Sequence, residues 1–131
     1  MTCCQILIID DDEDDAQILS EALAKCGVDR IKYVFSAMEA FMYLESFGET
    51  TEIPELIVTD HYLPRITGME FMNDLKRMEA YKKIPVIVLA NLQSELEIEQ
   101  YRALGAVDQL VKPSTYEEYV ELAKTIVKQL K

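Results

Sequence analysis

Short apolar runs alternate with longer stretches of helical spacing along this chain. Ile6–Ile9 is an unbroken aliphatic run, the mark of a strand buried on both faces. Ala16, Leu19, Ala22, Leu23 and Cys26 then recur at helical intervals, and Gly27 supplies a C-terminal stop. Ile31–Phe35 reads as a second strand. Ala37–Phe47 reads as a helix carrying Ala40, Phe41, Tyr43 and Leu44. A polar loop, GETTEIP, closes at Pro54. Leu56–Thr59 is a third strand ending at Asp60. Met69–Met78 is a third helix with Phe71, Met72, Leu75 and Met78 on one face. Ile84–Leu89 is the most apolar strand, Leu96–Leu104 a weaker helix ending at Gly105, and Val107–Val111 a fifth strand. Tyr116–Leu130 is a clearly amphipathic last helix, with Tyr119, Val120, Ala123, Ile126, Val127 and Leu130 on one side.

Strands alternating with helices in this way predict an α/β fold: a five-stranded parallel sheet joined by right-handed crossovers and covered on both faces. A length of 131 residues, half of them hydrophobic, suits a single domain with a full core. In such sheets ligands sit beyond the carboxyl ends of the strands. The positions to inspect are therefore Asp10 and Asp11, Ser36, Asp60, Ala90 and Asn91, and Lys112.

Charge narrows the function. The formal net charge is −11, from 24 acidic against 13 basic residues. That argues against direct nucleic-acid binding, which needs clustered Lys and Arg, and is compatible with a bound cation. The three cysteines, Cys3, Cys4 and Cys26, follow no disulfide or metal spacing, so reduced thiols in a cytoplasmic protein are expected. The single His61 completes no zinc site with them. No apolar run is long enough for a membrane span, and the N-terminal stretch turns acidic too soon for a signal peptide.

Asp10–Asp15 is a run of six acids directly after the first strand. Taken alone, it reads as a solvated helix entrance, where acids favour the positive end of the helix dipole. Asp60 and Lys112 change that balance. Asp10, Asp11 and Asp60 would converge at one rim, where unpaired carboxylates raise each other's pKa. A hard divalent cation such as Mg²⁺ relieves the conflict, with oxygen-only ligands. Asp12–Asp15 remain as the helix entrance. Lys112 adds a point charge suited to a phosphate or a carboxylate.

Four segments in order, ILIIDDD, PELIVTDHYLPRITGMEF, IPVIVLAN and LGAVDQLVKPS, give a chain that resembles the receiver domain of two-component response regulators. Its run from the long loop before Pro54 to LVKP is most similar to small single-domain regulators of the phytochrome-associated type. The resemblance implies a flavodoxin-like, CheY-like three-layer sandwich with strand order 2-1-3-4-5, and no output domain within residues 1–131. It implies that Asp60 accepts a phosphoryl group from a sensor histidine kinase or phosphotransfer protein. Asp10, Asp11, Asp60 and the backbone carbonyl of Tyr62 would hold Mg²⁺. Lys112 would pair with the phosphoryl group, and Lys112–Pro113 would be a cis peptide. Pro64 and Gly68 match the turn and helix start after the acceptor loop. Such a protein is a phosphoacceptor, not an enzyme acting on other molecules; only self-directed phosphoryl transfer and autodephosphorylation are implied.

The pattern breaks at two positions. Ala90 stands where Thr or Ser is usual after the fourth strand, and Gln109 stands where an aromatic residue usually swings with it. Asn91 could offer an amide to the phosphoryl group or shield it from water. His61 is expected as an exposed or partly packed ring directed away from the site. Output would run through a downstream protein target or a phosphorelay. The implied contact surface is the fourth helix, fifth strand and fifth helix, where Leu96, Ile98 or Tyr101 could be exposed and where a homodimer could form. The alternative is a receiver-like protein-binding module that works without phosphorylation. An Mg²⁺-dependent phosphotransferase or phosphatase acting on other molecules is disfavoured by short loops and the lack of a general acid beyond His61. A dinucleotide-binding enzyme is disfavoured by an acidic first turn with no glycine-rich cradle.

Overall fold

The computed structural model describes residues 3–48, 52–91 and 94–130. Residues 49–51 of the polar GETTEIP loop lie outside them. The elements alternate as anticipated: β1 (Ile6–Ile9), α1 (Glu13–Lys25), β2 (Ile31–Val34), α2 (Ala37–Glu45), β3 (Leu56–Asp60), α3 (Gly68–Lys76), β4 (Val86–Ala90), α4 (Glu95–Leu104), β5 (Asp108–Val111) and α5 (Tyr116–Val127). The five strands form one parallel sheet in the order β2-β1-β3-β4-β5. The reversal in strand order falls between β1 and β3, which places the ends of those two strands at the crevice where ligands bind in such sheets.

Period-two alternation sends neighbouring strand residues to opposite helical layers. Leu7, Ile9, Ile57, Val86 and Val88 face a core completed by Ala40 and Leu44 of α2, Phe71, Met72 and Leu75 of α3, and Tyr101 of α4. Ile6, Ile8, Val58, Ile87 and Leu89 face a second core, formed with Ala16, Leu19, Ala22 and Leu23 of α1 and Tyr119, Leu122, Ala123 and Ile126 of α5. Burial on both faces is why β1, β3 and β4 read as continuous apolar runs. Cys3 and Cys4 are buried in the first core, and all three cysteines are free thiols. Met72 is buried, and Met69 of α3 and Met78 just beyond its end pack against the same core, a packing role for all three methionines.

Every helix starts on a side chain that accepts a backbone N–H three residues on: Asp12 from Asp15, Ser36 from Glu39, Thr67 from Glu70, Ser94 from Glu97 and Thr115 from Glu118. These caps explain the shifted boundaries. The acidic turn Glu13–Asp15 belongs to α1, three residues ahead of its first apolar position, because Asp12 nucleates it. Ser36, a strand-end position of interest, spends its hydroxyl capping α2. At β4, Pro85 has no N–H to donate, so its carbonyl accepts from Ile57 and the strand begins only at Val86. Among the described residues, no helix is long and apolar enough to cross a membrane.

Candidate functional site

The carboxyl ends of β1, β3 and β5 bring Asp10, Asp60 and Lys112 together. Asp10 and Asp60 are buried, a placement charged residues tolerate only with partners. Lys112 supplies one: its Nζ lies 2.9 Å from Asp10 Oδ2, 2.9 Å from Asp60 Oδ2 and 3.1 Å from Asp15 Oδ2. Asp11 is exposed at the rim, yet Asp10, Asp11 and Asp60 each present a carboxylate oxygen within 4.8 Å of the others.

One ammonium cannot neutralise this many acids. Burial pushes the Asp10 carboxyl up to about 6, against the opposing pull of the Asp12 N–H and of Lys112. Burial also works against the Lys112 ammonium, but its bonds to Asp60 and Asp10 outweigh that and hold it above the usual lysine range. The pocket therefore retains excess negative charge, and its donors are all oxygens. That chemistry fits a hard divalent cation.

Backbone contacts fix the loop after β3. The Tyr62 N–H donates to Asp60 Oδ1 at 3.2 Å, as the Asp12 N–H does to Asp10 Oδ1 at 3.0 Å. The Tyr62 side chain is exposed. Gly68 closes the loop by donating its N–H to the His61 carbonyl at 2.8 Å. A Cβ at position 68 would lie 2.7 Å from the Asp60 carbonyl oxygen and 3.1 Å from His61 Cα, so only glycine lets α3 begin this close to Asp60. Pro64 is exposed on the same loop.

The remaining positions separate. Ala90 is buried at the end of β4, and its carbonyl accepts from the Lys112 N–H at 3.0 Å; its side chain has no hydroxyl to offer. Asn91 is exposed. Gln109 turns toward α4, where Nε2 donates to the Ile98 carbonyl at 2.8 Å. The Lys112–Pro113 peptide, expected to be cis, is trans, as the described residues contain no cis peptide. Trans is the favoured X–Pro isomer, and Lys112 reaches its carboxylates from it.

Two more expectations meet the structure differently. Tyr101, a candidate for an exposed docking face, is 1% exposed, because its ring enters the core against the sheet. Leu96 on the same helix is exposed and Ile98 half-buried. His61 is partly packed, as anticipated, but it is firmly held: Nδ1 lies 2.5 Å from the Tyr101 hydroxyl, and Nε2 lies 3.4 Å from Glu97 Oε2. Sequence reasoning missed these partners, and it missed the bond from Asp15 to Lys112. Asp15 looked like one more acid of a helix entrance; its position one turn beyond Asp10 was the available sign.

Comparison with known proteins agrees with this geometry. Residues 6–124 match the response regulator receiver domain. Over 94% of its length the chain is 29% identical to the two-component response regulator ARR15 of Arabidopsis thaliana, and it spans 62% of that protein. The phosphorylated cyanobacterial phytochrome response regulator RcpA superimposes with a TM-score of 0.84 at 28% identity, covering 97% of this chain and 93% of its own. The chemotaxis response regulator CheY4 of Vibrio cholerae gives 0.77 at 26% identity, covering 98% and 100%. The five-stranded parallel sheet in 2-1-3-4-5 order with its five helices is the fold this chain shares with those structures. The chain belongs to the response regulator receiver domain family, the signalling modules of two-component systems.

Proposed function

We propose that this receiver accepts a phosphoryl group on Asp60 from a sensor histidine kinase or phosphotransfer protein, with Mg²⁺ held by Asp10, Asp11, Asp60 and the Tyr62 carbonyl. The observation that carries this reading is the convergence of the acid cluster with Lys112, whose Nζ is 2.9 Å from Asp60. An arrangement so unfavourable in charge is expected where a cation and a phosphoryl group are handled.

The chemistry follows from these groups. An Asp60 carboxylate oxygen attacks phosphorus as the bond from phosphorus to the donor breaks. The product is an acyl phosphate, and its hydrolysis returns Asp60 and inorganic phosphate. A carboxylate is a weak nucleophile, so transfer depends on alignment and charge neutralisation. The cation supplies positive charge where the phosphoryl oxygens gather. Lys112 keeps the second positive charge beside them. The Tyr62 N–H on Asp60 Oδ1 fixes the carboxylate, leaving Oδ2, now on Lys112, as the reacting oxygen.

The output we propose is protein–protein contact or phosphorelay, by an atypical switch. Ala90 cannot bond a phosphoryl oxygen, and Gln109 is engaged with α4. Asn91, next to Ala90, would then govern access of water to the acyl phosphate. Intact mass after incubation with Mg²⁺ and acetyl phosphate tests the acceptor: wild type is expected to gain one phosphoryl group and Asp60→Asn none. No gain by wild type would favour a receiver-like binding module that works without phosphorylation, the reading that Ala90 and Gln109 support.

A further inference from the structure

The acceptor loop has a fulcrum. His61 lies between Asp60 and Tyr62, the residues whose carboxylate and carbonyl are assigned to the cation above. Its backbone is held at both ends: its N–H donates to the Leu89 carbonyl of β4 at 2.8 Å, and its carbonyl accepts from Gly68 at the start of α3 at 2.8 Å. Its ring faces a polar group at each nitrogen, the Tyr101 hydroxyl in hydrogen-bond contact at Nδ1 and Glu97 Oε2 3.4 Å from Nε2, and both come from α4. The Glu97 carboxylate near Nε2 can only accept, so in the neutral ring Nε2 carries the hydrogen and Nδ1 accepts from the Tyr101 hydroxyl.

α4 is otherwise loosely seated. Tyr101 is its one buried residue among the described ones. The Tyr101 hydroxyl also borders the acceptor loop, lying 3.0 Å from where a Cβ on Gly68 would sit. In α3 the acidic residue three past the cap, Glu70, turns back to the cap N–H of Thr67; the corresponding Glu97 of α4 reaches His61 instead. The usual connection from a phosphoryl group to this helix, a hydroxyl after β4, is missing at Ala90.

We propose that His61 is a positioning residue, clamped by Tyr101 and Glu97, through which the placement of α4 and the grip of the acidic pocket on a divalent cation depend on each other. Displacing α4 would pull the His61 ring and turn the peptide that joins Asp60 to Tyr62. Coupling of this kind is reciprocal, so a cation drawing Asp60 and Tyr62 into place tightens α4. The inference rests on the cation-assisted reading above.

Mn²⁺ binding, followed by the electron paramagnetic resonance of the free ion, tests the first half in wild type, Tyr101→Phe, Glu97→Gln and Asp10→Asn. Amide hydrogen exchange of α4 with and without Mg²⁺ tests the second. Tyr101→Phe keeps the ring in the core and is expected to weaken Mn²⁺ binding roughly fivefold, at the lower end of typical couplings. Glu97→Gln should weaken it less, about twofold. Mg²⁺ should slow exchange in α4 of wild type and lose that effect in Tyr101→Phe. A merely structural tyrosine would lower protection in α4 and leave its response to Mg²⁺ intact. Unchanged Mn²⁺ affinity in Tyr101→Phe, or a wild-type α4 indifferent to Mg²⁺, overturns the proposal. If Tyr101→Phe fails to fold, Glu97→Gln at the helix surface decides by the same criteria. Wild type that binds Mn²⁺ no better than Asp10→Asn would overturn the cation reading, and this inference with it.

Discussion

The α1–α5 pair on one face of the sheet and α4 on the other are held by different forces. On one face, α1 and α5 bury Ala16, Leu19, Ala22 and Leu23 against Tyr119, Leu122, Ala123 and Ile126, a continuous apolar seam. On the other, α4 is held by one fully buried ring, Tyr101, by the partly buried Leu104, and by polar ties from His61 and Gln109. Apolar burial is non-directional and grows with area, so the first layer resists displacement as a block. Hydrogen bonds are directional and contribute about 1 kcal/mol each, so α4 can exchange one set for another at small cost. The α1–α5 pair is a support, and α4 is the element free to respond.

The sharpest way to break this contrast is to hollow out the support. Leu23→Ala in α1 removes a fully buried side chain and is expected to cost about 2–5 kcal/mol in urea unfolding. Gln109→Ala releases the Ile98 carbonyl and should cost about 1 kcal/mol. Its signature is local: hydrogen exchange should speed up in α4 and stay unchanged in α1. A uniform increase would mean that α4 is as integral as α1.

A pH scan probes the seam between the layers, where Asp10 lies. Its folded-state carboxyl sits at about 6, above the ordinary 3.8, so between those values the folded protein binds more protons than the unfolded chain. Stability of the cation-free protein should therefore rise as pH is lowered from 7 toward 5, by on the order of 1 kcal/mol after allowing for solvent screening. Melting temperatures in EDTA would check the sign, and saturating Mg²⁺ should flatten the dependence. The smallest effect belongs to α4's outer face: Leu96→Ala, at an exposed position, should change stability by less than about 0.5 kcal/mol in the same urea experiment.

Much of this was legible in the sequence, for a physical reason. Strands buried on both sides are uniformly apolar, so Ile6–Ile9 reads correctly to the residue, and strand ends then locate Asp10, Asp60 and Lys112 without any knowledge of contacts. Boundaries slipped where a cap or a proline, and not periodicity, decided them, as at Asp12 and Pro85. Side-chain partnerships were beyond reach. His61 and Tyr101 are 40 positions apart and meet only because α4 lies over the end of β3. Tyr101 was placed outside because a tyrosine on a weakly apolar helix looks like surface, and only the packed structure reveals its hydroxyl end as the part that needed a partner. The bond from Gln109 to the Ile98 carbonyl of α4 was equally out of reach.

Lys112 gives the pocket an occupant of its own. With its ammonium shared among Asp10, Asp15 and Asp60, the protein carries a tethered positive charge inside its acidic pocket. A cation bound there as proposed would share the carboxylates with a tethered charge that is always present at high local concentration. A monovalent ion brings no more charge than the lysine already provides, whereas a divalent one does. On the proposed reading, a preference for magnesium over potassium would follow from the valence of a side chain, before any question of coordination geometry arises.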